Sequence, residues 1–236
     1  MQTFDLYYKE KLYPFQDLVL RLVMDLDLSW YLTGGTALSR FYFHHRYSDD
    51  LDFFLNDDPN YSFKVQKAIL ELKKKGFQIL DKTYPGSEFF SNYILKYGDT
   101  ELKIDFVNDI PNRQKQPIMK NNISIDSIEN ILTNKISAIY RFAAKDVADL
   151  WIISKNFRFD WVTAFQFASQ KVMGIELSGV GKLFFTIPSN IKDEIRWTSS
   201  LDPESFLNDI QIMGQDILSG NTNSLANKEH PLLTFL

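Results

Sequence analysis

Two glycines and two aspartates carry the first chemical signal in this chain. Gly34 and Gly35 sit in the run Leu32-Thr33-Gly34-Gly35-Thr36-Ala37-Leu38, and Asp50 and Asp52 open Asp50-Leu51-Asp52-Phe53-Phe54. Adjacent glycines let a backbone turn come close to a bulky anion. Carboxylates two apart on a strand point to the same face and repel each other. A fold that holds them together supplies a cation, and hard oxygen ligands suit Mg²⁺ shared with substrate phosphates. A phosphate-cradling turn beside a two-carboxylate metal platform is the equipment of nucleotidyl transfer.

A third carboxylate fits the same platform. Asp105 lies in Leu102-Lys103-Ile104-Asp105-Phe106, where strand alternation sends Ile104 and Phe106 to the core and Lys103 and Asp105 to the other side. Two-metal chemistry would divide the work. Asp50 and Asp52 would hold the ions gripping a triphosphate. Asp105, with one of them, would hold the second ion and help activate an attacking hydroxyl. An isolated Asp-x-Asp or Gly-Gly pair is weak evidence, and the order of the parts is what carries the reading.

The elements that position these residues follow from periodicity. A helix is expected over about residues 9–26, with Leu12, Phe15, Leu18, Val19 and Leu22 as its apolar stripe. Trp30-Tyr31-Leu32 reads as a short buried strand ending at the glycines. Thr36 to about His45 reads as a helix whose free N–H groups and positive dipole end face the phosphates. Strands are expected over 50–55, 89–97 and 101–107, the last two joined by Gly98-Asp99. An amphipathic helix fills 61–75, and Lys73, Lys74 and Lys75 read as last-turn cations complementing its dipole. Pro111 to Asn122 reads as a linker or long loop. Asp126 with Glu129 has capping-box spacing at a helix start, and the pattern beyond is helical. Residues 174–188 are ambiguous, 202–218 return to helix, and the tail after Ser219 reads as polar and loose. The expected fold class is α+β, a short mixed sheet flanked by helices over residues 1–115 and a mainly helical domain over 116–236 that completes a nucleotide cleft.

Composition sets limits. With 236 residues, 44% hydrophobic and 24% charged, the chain has the make-up of a soluble globular protein. Aromatics reach 15%, twenty of them Phe, so the core should be aromatic-rich. A formal charge of −4 argues against broad, sequence-blind nucleic-acid binding but leaves room for a local basic groove. Without Cys there is no disulfide or thiolate site, which fits a reducing cytosol. The N-terminus lacks the features of a signal peptide, and no apolar stretch is long enough to span a bilayer. A cytoplasmic location without membrane contact is therefore expected. Of the three histidines, adjacent His44 and His45 point apart on a helix and His230 is remote in sequence, so they do not read as metal ligands.

Three further readings concern charge and phosphate near the platform. Thr36, at the start of the helix after the glycines, and Ser48, two residues before Asp50, are placed to meet a phosphate. Phosphorylation of Ser48 would set a dianion against the metal and the triphosphate and switch the site off. Arg46 either complements the helix dipole or pairs with the carboxylates and holds them in place. If residues 135–150 form one unbroken helix, Lys135, Arg141, Lys145, Asp146 and Asp149 share an arc of about 140° at about 100° per residue. That face reads either as an ordinary solvated charged face or as a functional one.

The stretch Gly34 to Leu38, with His45-Arg46-Tyr47-Ser48-Asp49-Asp50-Leu51-Asp52-Phe53-Phe54, resembles the AbiEii/AbiGii toxin family of nucleotidyltransferases. The later Lys135-Ile136-Ser137-Ala138-Ile139-Tyr140-Arg141 and Lys145-Asp146-Val147-Ala148-Asp149-Leu150 resemble that family's second block. The resemblance covers about residues 30 to 155 and leaves the last third without a motif. It implies a DNA polymerase β-like core, Mg²⁺ dependence, an NTP substrate with GTP among the candidates, and a toxin of a type IV toxin–antitoxin or abortive-infection system. It implies that Lys135 and Arg141, with Lys145, neutralise triphosphate charge, and that Asp149 and Asp146 orient those cations or reach the base or metal. It also implies transfer to the 3′ end of tRNA and a winged-helix antitoxin as functional partner, with direct contact not implied. Two alternatives stay open: a small-molecule nucleotidyltransferase of the antibiotic-modifying kind, since fold does not fix the acceptor, and a catalytically silent nucleotide-binding or interaction module.

Overall fold

The computed structural model describes residues 3–81, 87–198 and 203–235. The chain divides into two compact units, one built from residues up to Tyr42 with Tyr47–Asp126, the other from Phe43–Arg46 with the residues from Ser127 onward. The mixed sheet and flanking helices expected from the sequence are present.

The first unit opens with helix α1 (Thr3–Tyr7), a π turn (Tyr8–Leu12) and α2 (Tyr13–Met24), which follow one another without a break. Pro14 has no N–H to donate, and the helix widens into the π turn just ahead of it. The buried face of α2 is Phe15, Gln16, Val19, Leu20 and Val23, a regular helical repeat turned from the expected stripe. Leu18 stands 39% exposed, while Gln16 and Leu20 are fully buried.

Among the described residues seven strands form one sheet in the order β3-β4-β5-β2-β1-β7-β6. They are β1 (Tyr31–Thr33), β2 (Leu51–Asn56), β3 (Gln78–Asp81), β4 (Phe90–Tyr97), β5 (Thr100–Asp109), β6 (Ile118–Lys120) and β7 (Ile123–Ile125). The β2/β5 and β1/β7 pairs are parallel and the other four antiparallel. On β2, Leu51, Phe53 and Leu55 are buried and Asp52, Phe54 and Asn56 half-buried, the alternation of a strand with one core face. Phe53 stacks on Phe106 at 5.4 Å, and Trp30 and Tyr93 pack against the same ring. Helix α3 (Gly34–Ala37) starts at the glycines themselves and widens into a second π turn, Leu38–Phe43. Helix α4 spans Tyr61–Lys74.

Residues 111–122, expected to be loop, contain β6. Asn121 and Asn122 both have positive φ, 49° and 63°, so they form the two-residue turn of a tight hairpin with β7. Because β6 and β7 belong to the sheet, the first unit ends at Asp126 rather than near residue 115.

In the second unit, α5 (Ile128–Ala138), α6 (Ala144–Asn156), α7 (Trp161–Ser169), α8 (Leu177–Phe185) and α9 (Pro203–Ser219) supply the helical half. The cap of α5 is Ser127, whose hydroxyl accepts from Asn130 N at 3.2 Å, not Asp126. The single helix over 135–150 is not formed. Helix α5 stops at Ala138, a 3₁₀ turn covers Ile139–Arg141, Phe142 is left-handed at φ 55°, and α6 starts at Ala144. The shared-arc argument therefore fails. The ambiguous stretch 174–188 holds α8, and Gly181 brings it against α9: a Cβ there would lie 2.8 Å from Leu218 N. Asp202, the expected start of α9, lies outside the described residues. The tail after Ser219 is pinned rather than loose. Asn223 Nδ2 donates to the Ser154 and Phe157 carbonyls at 2.7 Å each, and Leu232 pairs with Arg158. Among the described residues no helix is long and apolar enough to cross a membrane.

Candidate active site

The glycine turn and the second aspartate touch. Gly34 has φ +68°, and a Cβ built on it would lie 2.3 Å from Asp52 Oδ2. Any side chain there meets both backbone strain and the carboxylate. Thr33, the last residue of β1, is paired with Asp52, and Asp52 is paired in turn with Asp105 on parallel β5. The register thus sets two of the expected carboxylates side by side, next to the turn. Asp50 sits one residue ahead of β2, since the strand runs from Leu51.

Asp105 is buried and already engaged. Lys103 Nζ donates to its Oδ2 at 2.7 Å, and Asn92 Nδ2 donates to its Oδ1. Burial works to lower the Lys103 ammonium, but the hydrogen bond and charge of Asp105, with the charges of Asp50 and Asp52, hold it above its ordinary value of 10.5. One ammonium therefore stands within the field of all three carboxylates. Lys103 was visible in the sequence as the strand neighbour of Asp105. Asn92 faces Asp105 through the β4/β5 register, which the two-residue Gly98-Asp99 turn sets and from which it could have been found.

Two of the acidic side chains suit a divalent ion. Asp50 and Asp52 are half-buried and offer hard oxygen donors. Among the described residues no three His, Asp or Glu side chains gather around one point, and Asp105 has its oxygens on Lys103 and Asn92. Asp50 and Asp52 remain the candidate Mg²⁺ ligands.

Thr36 and Ser48 face each other. Their hydroxyls share a 2.9 Å hydrogen bond, and the Thr36 hydroxyl also meets the Asp50 carbonyl. Both residues are buried, like Gly35. Ser48 is only 6% exposed, so the folded chain does not offer its hydroxyl to a kinase, and the expected phosphorylation switch loses its basis.

The remaining charged candidates form a separate network inside the helical unit. Arg46 grips Asp149 with two hydrogen bonds, Nε at 2.7 Å and Nη2 at 2.8 Å. Lys135 Nζ lies 2.6 Å from Asp149 and 2.7 Å from Asp146. His45 Nε2 is 2.9 Å from Asp149 Oδ1, while its Nδ1 is buried with no hydrogen-bond partner among the described residues. Nε2 is then the protonated nitrogen. Burial pushes Asp149 up, but the charges of Arg46 and Lys135 and the hydrogen bonds of His45 and Arg46 hold it well below the ordinary carboxylate value. Burial lowers His45 more than its bond to Asp149 raises it, so it is held neutral. Burial also opposes the Lys135 ammonium, yet Asp149 and Asp146 keep it above its ordinary value. Arg46 thus neutralises Asp149 by a close pair, and Asp146, in the first turn of α6, reaches back across the helix break to Lys135 and Arg141. Arg141 is 67% exposed and Lys145 is exposed as well.

Comparisons with known proteins agree with this architecture. A search of curated proteins finds no match. Two solved structures from Helicobacter pylori are similar: JHP933, at 23% identity and TM-score 0.60, covering 89% of this chain and 93% of that one, and a candidate nucleotidyltransferase, at 23% identity and TM-score 0.61, covering 89% and 96%. These show a shared fold. The profile of the AbiEii nucleotidyl transferase toxins, type IV toxin–antitoxin systems, matches residues 19–202. With most of its length matched, and with the glycine turn and carboxylate strands inside the match, the chain belongs to the AbiEii family of nucleotidyltransferase toxins.

Proposed function

We propose that the chain transfers a nucleoside monophosphate from an NTP to the 3′ hydroxyl of tRNA in a Mg²⁺-dependent reaction, GTP being among the candidate donors. One observation carries the reading: Asp52 lies against the Gly34 turn and in register with Asp105. The missing Cβ at Gly34 makes room for the Asp52 carboxylate itself, so turn and carboxylate pair form one surface on which an ion and phosphate oxygens would meet.

Asp50 and Asp52 would hold the divalent ion, which when bound draws charge from the triphosphate oxygens. Gly34 and Gly35 keep side chains off the turn, so its N–H groups can approach phosphate. Lys103 offsets part of the acidic charge beside the pair. Asp105 is the candidate acceptor for the proton of the attacking hydroxyl. The acceptor oxygen bonds to the α-phosphorus, the bond from that phosphorus to the bridging oxygen breaks, and pyrophosphate leaves with the electron pair. As a toxin the protein would act in the cytoplasm, where NTP and tRNA are found, with a winged-helix antitoxin from a neighbouring gene countering it.

The test is label transfer from each α-³²P NTP with Mg²⁺ and total cellular RNA, with Asp50→Ala as control. Label in tRNA-sized RNA with the wild type alone is the expected result. Label on a small hydroxylated compound instead would assign the acidic chain, at formal charge −4, to small-molecule transfer. Mg²⁺-dependent NTP binding without turnover on any acceptor would make it a binding module.

A further inference from the structure

The segment that delivers Asp50 belongs to no strand. Residues 47–50 precede β2 and lack its ladder, yet buried main-chain groups need partners. Side chains supply them. Gln16 Nε2 donates to the Ser48 and Asp49 carbonyls, each at 3.0 Å. The Asp50 carbonyl accepts from the Thr36 hydroxyl, and Ser48 N donates to the Tyr13 hydroxyl at 3.4 Å. The Tyr8 hydroxyl donates to the Asp49 carboxylate. Three consecutive carbonyls are thus held by side chains, two of them by one amide.

The amide is itself fixed. Gln16 is fully buried, and its Oε1 accepts from Arg40 Nη1 at 3.2 Å. Arg40 pairs with Asp17 at 2.6 Å and lies over the Tyr13 ring at 4.4 Å. Tyr8, also fully buried, stacks on Tyr47 at 4.1 Å. A glutamine buried on the core face of an amphipathic helix costs stability unless its polar atoms are satisfied, and here each is.

Geometry gives the amide a role beyond satisfaction. The Asp49 carbonyl belongs to the peptide plane that precedes Asp50, and the Asp50 carbonyl to the plane that follows it. Gln16 pins the first and Thr36 the second. With both planes pinned, φ and ψ of Asp50 are set, and so is the direction of its Cβ. We infer that Gln16, assisted by Tyr8, is a positioning residue for the Asp50 carboxylate. Both lie ahead of residues 19–202, the part matched to the family, so the brace comes from this chain's own N-terminal arm. The inference rests on the reading of Asp50 as a metal-holding carboxylate.

The test uses Mn²⁺ alone as probe, its binding to the full chain followed by electron paramagnetic resonance without nucleotide. Gln16→Met keeps the side-chain length and removes the amide. Val19→Ala, a fully buried position on the same helix, destabilises the core without touching the segment. Circular dichroism and urea unfolding establish that each variant is folded at the assay temperature. The expected result is a loss of Mn²⁺ affinity of about tenfold or more in Gln16→Met, with Val19→Ala binding as the wild type does. Tyr8→Phe, which removes only the hydroxyl, should weaken binding in the same direction by less, and it keeps the test open if Gln16→Met does not fold. Wild-type Mn²⁺ affinity in Gln16→Met, or in Tyr8→Phe where that variant stands in, overturns the inference, as does an equal loss in Val19→Ala. If the wild type shows no Mn²⁺ binding that Asp50→Asn abolishes, the metal reading fails and takes this role with it. That outcome is distinct from a wild type that binds and a Gln16→Met that binds equally well.

Discussion

The charged side chains singled out by the sequence fall into two groups that differ in their exposure to solvent. At the carboxylate platform, Asp50 and Asp52 are half-buried and Asp105 is held by Lys103, so three acids share one nearby ammonium. In the helical unit, Arg46 and Lys135 face Asp146 and Asp149 with all four side chains buried. The second group pairs two cations with two carboxylates out of water, and the first stands partly in solvent. Burying ions is expensive, and a network of this kind persists only when pairing and hydrogen bonds offset the lost hydration. Its members are accounted for by the fold. The acids of β2 and β5, on interior strands of the sheet, are the ones the proposed function assigns to a ligand. The residue types are the same, and partners and solvent exposure separate the roles.

The sharpest way to break that comparison is to neutralise one acid of each group. Asp52→Asn should lower transfer by about a thousandfold or more, while the thermal midpoint stays level or rises because a repulsion is removed. Label transfer and a thermal melt on the same preparation read both. A large drop in midpoint would mean that Asp52 also serves the fold.

Asp149→Ala should do the reverse. It leaves Arg46 and Lys135 buried without their shared partner, and breaking a buried pair costs about 3–5 kcal/mol. Urea unfolding measures this. A variant with wild-type stability and no transfer would move Asp149 from the fold to the chemistry and remove the distinction between the groups.

How far the sequence discloses this arrangement depends on the range of the interactions. The glycine turn, the Asp50 and Asp52 pair and the Asp105 strand are local patterns, and the register of β2 with β5 completes them. The strands β3, β6 and β7 are three or four residues long, too short for alternation to register. The Asn121-Asn122 turn was the one available sign of β6 and β7. The break at Phe142 has no local signature, because an aromatic in the left-handed region is held there by the structure on either side. The pairing of Arg46 with Asp149 spans 103 residues, and no spacing rule foretells it. Gln16 is the plainest case. As a polar residue between Phe15 and Asp17 it reads as surface, and the Ser48 and Asp49 carbonyls it serves explain why it is inside.

Acidity offers a milder probe of the buried group. Unfolded His45 titrates near 6.5, and the folded ring, beside Asp149, Arg46 and Lys135, titrates lower. Between those values the unfolded chain binds the proton and the folded chain does not, so stability should fall as pH drops below about 6.5. Asp149 adds stability that is present above 3.8 and is lost as pH falls further, through its depressed folded value. Lys135, raised above 10.5, adds stability that is present below 10.5 and is lost as pH rises through its folded value. The urea midpoint should therefore be flat between about 6.5 and 10.5 as far as this group is concerned. His45→Gln should remove the shoulder near 6.5 and leave the steeper fall below 3.8. A shoulder that survives the substitution would place its origin in another group.

Arg141 should give the smallest effect, since it stands at the exposed rim of the buried group. Its guanidinium is 67% exposed and meets Asp146 at 3.1 Å, while Asp146 keeps its closer contact with Lys135. Exposed ion pairs are worth about 0–1 kcal/mol, so Arg141→Ala should leave urea unfolding within about 1 kcal/mol of wild type. If Arg141 belongs to the buried network alone, the KM for NTP should hold as well. If it supplies charge to a triphosphate, that KM should rise several-fold at low salt and the rise should shrink as salt screens the contact. Steady-state transfer at two ionic strengths separates these outcomes. A salt-sensitive KM change with unchanged stability would show that the buried network keeps one cation facing outward for the substrate.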